Sequence, residues 1–495
     1  MVWTHSQRIL ITWLGITLGT AITGGRWVGA SEPPTPPSPR SWRDQPAKMV
    51  VVTPPGPFHA VEPSVAIDPT HPERIVVASL RLATARHGDG PYSVAGLSES
   101  SDGGLTWDDQ TVPNPDRRNQ GDDVVLIGPD GVAWHGFIGF EGIRQTRPRR
   151  ARNGVFLQRG HLQGDLPTRV WFEPIPVIDH INTVEPFEDK PGFALGPPRR
   201  EGGPPTIHVA WSRFDVYGSD RPEHRTRLVY SVSHDGGRTF TPPLTITDPD
   251  GFGDARDSDQ TVMGATLAVA EDGAVFVAWA RDGAIWFDRR EPGVRNFGND
   301  QRAAEAPGGW DLPLKGLAVH NGLPTLKLDA SSGPHRGRLY LAWLDDHRGN
   351  GRPDARLCWS DDRGATWTAP RVIHPTPEGT DPASIPSRVF VSLAVDPTDG
   401  AVIVAHLERQ GDGPGDLVAV LAYSDDGGNS FRRRVLSEVP PFQPAPGLFL
   451  GDYLGLDARD GRVVFVFPRP DPDHNGNLRL NAVLIPAPPT PDPQS

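Results

Sequence analysis

The chain has 495 residues with a formal net charge of −12 at neutral pH, and 55 glycines and 55 prolines accompany a hydrophobic share of 37%. The acidic balance argues against nucleic acid or an anionic membrane surface as the main partner. So much glycine and proline argues against a mainly helical protein and is typical of a fold built from many short strands and turns.

The predicted elements begin with an export signal. Residues 1–8 carry one positive charge, residues 9–24 are uncharged and mostly apolar, and small residues precede Ser31, which is the order of parts in a secretory signal. We expect residues 1–30 to be a signal peptide, with an uncleaved anchor as the alternative, and the mature protein to be periplasmic or extracellular. No later segment has the roughly 20 apolar residues that span a bilayer, so we expect no stable membrane insertion after signal removal.

Proline-rich segments flank the part of the chain that is expected to fold. Residues 31–47 ("SEPPTPPSPRSWRDQPA") predict an extended linker, and residues 486–495 ("PAPPTPDPQS") predict a similar tail. Residues 48–485 are predicted to form one domain.

A hairpin repeat runs through this domain. Each copy is an apolar strand, a tight turn such as "PDG", "EDG", "TDG" or "RDG", and a second apolar strand. Two hairpins make one four-stranded blade, so the repeat predicts an all-β propeller with seven blades, six being the alternative. We expect the ring to close by pairing of residues 49–54 with residues 478–486. The seven copies begin at Glu62, Asp122, Lys190, Gly264, Pro324, Arg388 and Asp452.

An eight-residue box occurs four times, as "SSDGGLTW", "SHDGGRTF", "SDDRGATW" and "SDDGGNSF". Its Ser and Asp side chains can satisfy backbone donors in a turn, its glycines can adopt positive φ, and its closing aromatic residue can pack between blades. Equivalent turns of a ring cannot all face one site. We therefore predict a structural role for the box carboxylates, which are Asp102, Asp235, Asp362 and Asp426.

These boxes resemble the Asp-box, or BNR, repeat of the sialidase (neuraminidase) superfamily, and at the level of repeats the resemblance covers nearly the whole mature chain. It implies a sialidase-like propeller with a Tyr nucleophile paired with a Glu, an Asp acid/base and three Arg that hold the substrate carboxylate. Tyr453, before the last hairpin, stands in a place similar to that of the nucleophile. A phenol with a pKa near 10 needs a base, and Glu188 and Asp189 in "FEDKPG" are the candidates.

The arginine clamp matches less well, because no Arg-Ile-Pro motif occurs near the start. Arg213, Arg281 and Arg388 are the candidates for binding an anionic substrate, since guanidinium groups suit bidentate contacts with carboxylates. Rim or inter-blade roles are the alternative for all three.

Alignment of the hairpins on their first apolar pair leaves Tyr453 as the one large residue at its position. A single phenol there predicts a functional pocket, or else a plug in the ring centre. The aligned residues are Ser64, Asp123, Gly192, Thr266, Thr325 and Ser392.

Metal-binding patterns are weak. Asp471, Asp473 and Asn475 alternate before a glycine, as calcium ligands do, but Ala482 stands where the twelfth-position Glu would be. The histidines show no zinc-ligand spacing. We expect no cofactor, with calcium at those three residues as the alternative.

Two functions follow from these observations. One is an exo-acting glycoside hydrolase of the exo-alpha-sialidase type that acts on anionic glycans. The other is a non-catalytic BNR-repeat propeller that binds a glycan, a glycoconjugate or a protein. Tyr453 favours the hydrolase, and the missing Arg-Ile-Pro motif favours the binding protein.

Overall fold

Antiparallel hairpins make up the described fold. The computed structural model describes residues 43, 45–84, 92–110, 112–141, 152–162, 168–181, 183, 185–314, 316–317, 321–375, 379–381, 384–409 and 416–487. These residues form seven sheets of four or five strands and two short 3₁₀ helices, Pro115–Arg117 and Pro249–Gly251. They contain no helix long and apolar enough to cross a membrane. The predicted signal peptide, most of the linker and most of the tail lie outside them.

Each sheet is one blade, and in blades 1 to 6 the strands lie in sequence order from the first to the fourth. Strand β1 is Lys48–Val51. Blade 1 contains β2 (Phe58–Ile67), β3 (Ile75–Ala83), β4 (Ser93–Ser100) and β5 (Asp108–Gln110). Blade 2 contains β6 (Asn119–Ile127), β7 (Ala133–Phe140), β8 (Arg152–Leu162), the short β9 (Arg169–Trp171) and β10 (Ile175–Ile181). Blade 3 contains β11 (Phe187–Gly196), β12 (Thr206–Phe214), β13 (Arg225–Ser233), β14 (Leu244–Thr245) and the short β15 (Gly253–Asp254).

The remaining blades repeat the same order. Blade 4 contains β16 (Met263–Val269), β17 (Val275–Arg281), β18 (Ala284–Arg290) and β19 (Gln301–Glu305). Blade 5 contains β20 (Thr325–Leu328), β21 (Leu339–Asp345), β22 (Asp354–Ser360) and β23 (Arg371–Val372). Blade 6 contains β24 (Ser387–Val395), β25 (Val402–Arg409), β26 (Leu417–Ser424) and β27 (Arg432–Val435). Blade 7 contains β28 (Gly455–Arg459), β29 (Arg462–Pro470), β30 (Leu478–Ile485) and, at its outer edge, β1.

The blades close into a ring. Their first strands contact one another in order, and β28 of blade 7 contacts β2 of blade 1. The N-terminal β1 pairs antiparallel with β30, with Met49 opposite Val483 and Val50 opposite Ala482. The predicted seven blades and the predicted closing pair are therefore confirmed. Closure leaves blade 7 with its fourth strand and without an open edge beside β30.

The hydrophobic core is divided among the gaps between blades. Each of seven clusters of buried residues joins strands of neighbouring blades. One of them packs Trp134 and Val155 of blade 2 against Ile207 and Val209 of blade 3. Because a blade buries both faces only by stacking on its two neighbours, stability depends on the whole ring.

The two ends of the channel differ in the connections that they carry. First and third strands run in the same direction, because both pair antiparallel with the second strand. The box turns follow third strands, so they lie at the end opposite to the starts of the first strands. We call the end with the box turns the lower face and the other end the upper face.

All four boxes form the same hydrogen-bonded turn. In each box, the Ser hydroxyl donates to the Asp carboxylate at 2.7–2.9 Å. The same hydroxyl accepts the amide of the glycine four residues after the Ser at 2.8 Å. The other carboxylate oxygen accepts the Thr or Ser hydroxyl four residues later at 2.6 Å. The turn thus satisfies its own donors and leaves the Asp engaged.

The last glycine of each box lies against the preceding blade. Gly104 and Gly237 have φ of +91° and +84°, and a Cβ there would meet Leu484 at 2.7 Å and Leu157 at 2.6 Å. At Gly364 a Cβ would meet Phe287 at 2.1 Å. Only glycine fits both the backbone angle and the close approach. The box therefore fixes the distance between neighbouring blades.

Replacement of Asp235 by Asn should lower the free energy of unfolding by about 1 kcal/mol at pH 7, because charge-assisted hydrogen bonds are lost. Burial would raise the pKa of Asp235, but hydrogen bonds from Thr239, Ser233 and Arg238 outweigh it and lower the pKa to about 2. A lowered pKa stabilises the fold above the unfolded-state pKa near 4, and this stability is lost as the pH falls toward 2.

Urea unfolding of the wild type and Asp235→Asn between pH 7 and pH 3 measures the difference. It should be full at pH 7 and shrink below about pH 4. Asp416→Asn, at an exposed position, is the control and should leave stability unchanged at every pH. A constant difference across the range would contradict the assignment to the ionised carboxylate.

Candidate functional site

The first strands wall a central cavity of about 460 Å³. Residues along the whole length of the channel line it, from Lys327 and Arg459 toward the lower face to Asp122, Lys190 and Tyr453 at the upper face. The upper end carries most of the polar side chains, and we call it the upper mouth. A ligand reaching the ring axis from that side would meet these side chains first.

Backbone bulges within the first strands change the direction in which their side chains point. The pairing of first with second strands shifts register in blades 1, 2, 3, 4 and 6. One residue of each bulge has a positive φ, between 45° and 76°. Bulges of this kind turn a side chain out of the regular alternation of a strand. The five residues are Glu62, Asp122, Lys190, Gly264 and Phe390.

Lys190 joins three blades across the upper mouth. Its ammonium lies 3.4 Å from the carboxylate of Asp122 on blade 2 and also contacts Asp452 before blade 7. The amide of Asp452 donates to Glu62 Oε1 of blade 1 at 3.2 Å. We call Glu62, Asp122, Lys190 and Asp452, with the adjacent Asp189 and Tyr453, the mouth cluster.

Burial and crowding perturb the acids of the mouth cluster. Glu62 is 3% exposed, and burial, followed by the charges of Asp452 and Asp122, raises its pKa well above the usual range. Burial and the charge of Asp122 likewise raise the pKa of Asp189. Burial would lower the pKa of Lys190, but the carboxylates around it raise the pKa well above its usual value. The cluster therefore holds a charged ammonium beside carboxyl groups that keep their protons to unusually high pH.

Tyr453 is half-buried at the cavity wall. Its hydroxyl donates to the backbone carbonyl of Asp123 at 3.2 Å. Burial, then the charges of Glu62 and Asp122, raise the pKa of its phenol. The phenol is therefore protonated at neutral pH, and a nucleophilic role requires a base that takes its proton as the new bond forms.

The structure corrects the alignment that singled out Tyr453. Ser64 Oγ accepts the amide of Val125, and Thr266 Oγ1 accepts the amide of Leu326, each at 3.0 Å. These equivalent contacts align Ser64 with Gly455, two residues after Tyr453. The residues equivalent to Tyr453 are instead mostly large or charged, namely Glu62, Asp122, Lys190, Gly264, Leu323 and Phe390.

Glu188 and Arg213 pair with each other. Arg213 donates to the carboxylate of Glu188 at 2.6 and 2.9 Å, Trp211 donates to it at 2.6 Å, and His180 Nε2 lies 2.7 Å away. Burial would raise the pKa of Glu188, but hydrogen bonds from His180 and Arg213 lower it. Neither Glu188 nor Arg213 lines the central cavity. Of the two predicted carboxylates, Asp189 is the one that belongs to the mouth cluster.

Arg281 and Arg388 also lie away from the central cavity. Arg281 stacks on Trp286 at 4.5 Å from the ring centre and lines a separate cavity beside blades 3 and 4. Arg388 is buried, 2.8 Å from Asp354 and 3.7 Å from Glu408. The three predicted arginines are thus held on three different blades and do not converge.

The carboxylate of Asp471 is bound by residues of its own hairpin. It lies 2.8 Å from His474 Nδ1 and 2.9 Å from Arg479, and it accepts the amide of Asp473 at 3.0 Å. Within the part of the chain that the structure describes, no group of three or more His, Cys, Asp or Glu side chains could hold a metal ion. Calcium at Asp471, Asp473 and Asn475 stays a prediction.

No protein family and no curated protein matches the chain. Among solved structures, it is similar to a Dyadobacter fermentans protein of unknown function, with 14% identity over 90% of this chain and 99% of the other and a TM-score of 0.47. It is similar to an ulvan lyase, with 13% identity over 88% and 95% and a TM-score of 0.48. It also resembles Trypanosoma rangeli sialidase, with 10% identity and a TM-score of 0.44, spanning 78% of this chain and 60% of that one. Similarity at this level concerns the general fold.

Replacement of Glu62 by Gln should stabilise the protein at pH 8 by at least about 1 kcal/mol, because the raised pKa makes ionisation of Glu62 costly in the folded state. A raised pKa contributes stability that is full below the unfolded-state pKa near 4.3 and is lost as the pH rises through the folded-state pKa. Denaturant unfolding of both proteins from pH 4.5 to pH 9 measures the effect. The advantage of Glu62→Gln should vanish toward pH 4.5.

The exposed Glu201 gives the matched control. Glu201→Gln should follow the wild-type pH profile throughout. Parallel profiles for the wild type and Glu62→Gln would show that Glu62 ionises as it does in the unfolded chain.

Proposed function

We propose that the protein is an exported glycoside hydrolase whose reaction takes place at the upper mouth. The observation that carries the proposal is a phenol at the cavity wall, Tyr453, in one cluster with Glu62 and Asp189, two buried carboxyl groups of raised pKa. Acid–base chemistry at neutral pH needs carboxyl groups whose pKa has been moved toward 7. The resemblance of the four boxes to the sialidase repeat supports a glycan as the substrate.

In this mechanism Tyr453 attacks the anomeric carbon when Glu62 is ionised, and the phenol proton passes to Glu62. Its raised pKa makes the ionised Glu62 a stronger base than an ordinary carboxylate. Asp189, whose raised pKa favours its protonated form, supplies the proton that the departing glycosidic oxygen takes as its bond breaks. A water molecule then attacks the anomeric carbon and gives its proton to Asp189. The bond to Tyr453 breaks, and the phenolate takes its proton back from Glu62, so the two carboxyl groups return to their starting states. Asp122 and Asp452 are ion-paired with Lys190 and take no part in these proton transfers.

A non-catalytic glycan-binding role is the second candidate. It is favoured by the hydrogen bond that ties the Tyr453 hydroxyl to the Asp123 carbonyl and by the separate positions of Arg213, Arg281 and Arg388. Both candidates place the ligand at the same mouth. They differ in whether a bond is broken there.

Replacement of Tyr453 by Phe should reduce turnover by at least about 100-fold while leaving the fold intact, because only the phenolic oxygen is removed. Purified full chain would be assayed on fluorogenic glycosides that include a sialoside, neutral hexosides and hexosaminides. Tyr92→Phe is the matched control, since Tyr92 is 47% exposed, and it should keep full activity.

Two outcomes would count against the hydrolase. Equal turnover by the wild type and Tyr453→Phe would remove Tyr453 from the mechanism. Absence of turnover on every glycoside, together with retained binding of a glycan, would make the protein a binding propeller.

A further inference from the structure

The upper mouth is strongly acidic. Five carboxyl groups act on one another there, and the ammonium of Lys190 is the cation among them. The other basic residues that line the cavity, Lys327 and Arg459, lie at the far ends of β20 and β28, toward the lower face. In a water-poor opening such an excess of one sign is felt strongly by an approaching charge. The carboxyl groups are Glu62, Asp122, Asp123, Asp189 and Asp452.

Among the residues that the structure describes, the cations near this mouth are already paired with carboxylates. Lys190 already contacts Asp122 and Asp452. The guanidinium groups of Arg213 and Arg388 are paired with Glu188 and Asp354. A sugar carboxylate or sulfate would therefore be placed beside carboxylates, and like charges in contact are disfavoured by several kcal/mol.

The mouth also contains a buried acceptor without a donor. Asp123 is 0% exposed, and its Oδ1 lies 2.6 Å from His135 Nε2. Its Oδ2 has no hydrogen-bond partner among the described residues. The charge of this carboxyl reaches both Glu62 and Tyr453. A buried carboxylate oxygen without a donor destabilises the protein, and a ligand that brings a donor removes that cost.

Lys190 indicates what kind of group fits. Its ammonium occupies the space between Asp122 of blade 2 and Asp452 of blade 7. A primary ammonium has three donors and suits several carboxylate oxygens at once. A ligand ammonium at the mouth would share these acceptors or displace the Lys190 ammonium from them.

We propose that the upper mouth selects sugars that carry a protonated amino group. This inference rests on the proposed function in taking a saccharide as the ligand, but it concerns recognition and does not require bond cleavage. The ammonium would lie between Asp122 and Asp452, and the sugar ring would face Tyr453.

The test is a binding measurement by titration calorimetry at pH 6 with the purified full chain. The probes are three oligosaccharides of equal length, one of glucosamine, one of N-acetylglucosamine and one of galacturonic acid. The glucosamine oligomer should bind at least 10-fold more tightly than its N-acetylated counterpart, and 0.5 M NaCl should reduce that ratio. The galacturonic acid oligomer should bind most weakly.

Two variants of opposite sign separate recognition from folding. Asp452→Asn should lower the preference for the amine by about 10-fold, whereas Lys190→Met should increase it, because the competing ammonium is gone. A merely structural role would not produce the increase. Asp416→Asn, at an exposed position just before β26, is the control for general surface charge and should leave the preference unchanged.

The outcomes of this test and of the turnover assay are distinguishable. Equal or tighter binding of the acetylated or acidic oligomer, or binding of none of the three, would overturn the inference. Turnover without an amine preference would leave the hydrolase standing and remove the amine selectivity. An amine preference without turnover would leave the selectivity standing in a binding protein.

Discussion

The pairing of β1 with β30 is the contact on which the rest of the molecule depends. Each hydrophobic cluster lies between neighbouring blades, so no blade is stable unless both neighbours are in place. Without β1, blade 7 would keep three strands and an open edge at the point where the ring meets itself. With the ring closed, groups from blades 1, 2, 3 and 7 come within contact distance at the upper mouth.

Stability and chemistry occupy opposite faces of this ring. On the lower face, the box turns satisfy their own hydrogen bonds and place a glycine against the preceding blade. On the upper face, Glu62, Asp122 and Lys190 adopt left-handed backbone angles, each of which costs about 1–2 kcal/mol for a residue with a side chain. The same residues gather acids around one ammonium. Strain and like charge at one end of an otherwise regular fold are typical of a functional site.

The hairpins, the boxes and the closing strand could be predicted because each is a local pattern of strands and turns. The mouth cluster could be predicted only in part. Tyr453 and Asp189 were candidates, but bulges shift the register that strand alternation assumes, which hid the other members and misaligned Ser64 with Tyr453. The sequence did contain a pattern that could have found the cluster. Four hairpin copies begin with a charged residue, namely Glu62, Asp122, Lys190 and Asp452. The prediction that Arg213 and Arg388 bind an anionic substrate has a different weakness. Their partners Glu188 and Asp354 are distant in sequence, and only the folded blades reveal that these charges are already paired.

The closing pair also sets the order in which the molecule can be completed. Lys48 lies opposite Leu484, so β1 waits for a partner strand that is made more than four hundred residues later. Contacts of such long range slow folding, because the loop must close before the contact stabilises anything. A ribosome-bound or partly translocated chain therefore has six blades that can stack but no finished ring. For a protein that is exported, as proposed, this delay keeps the ring open until β30 has emerged.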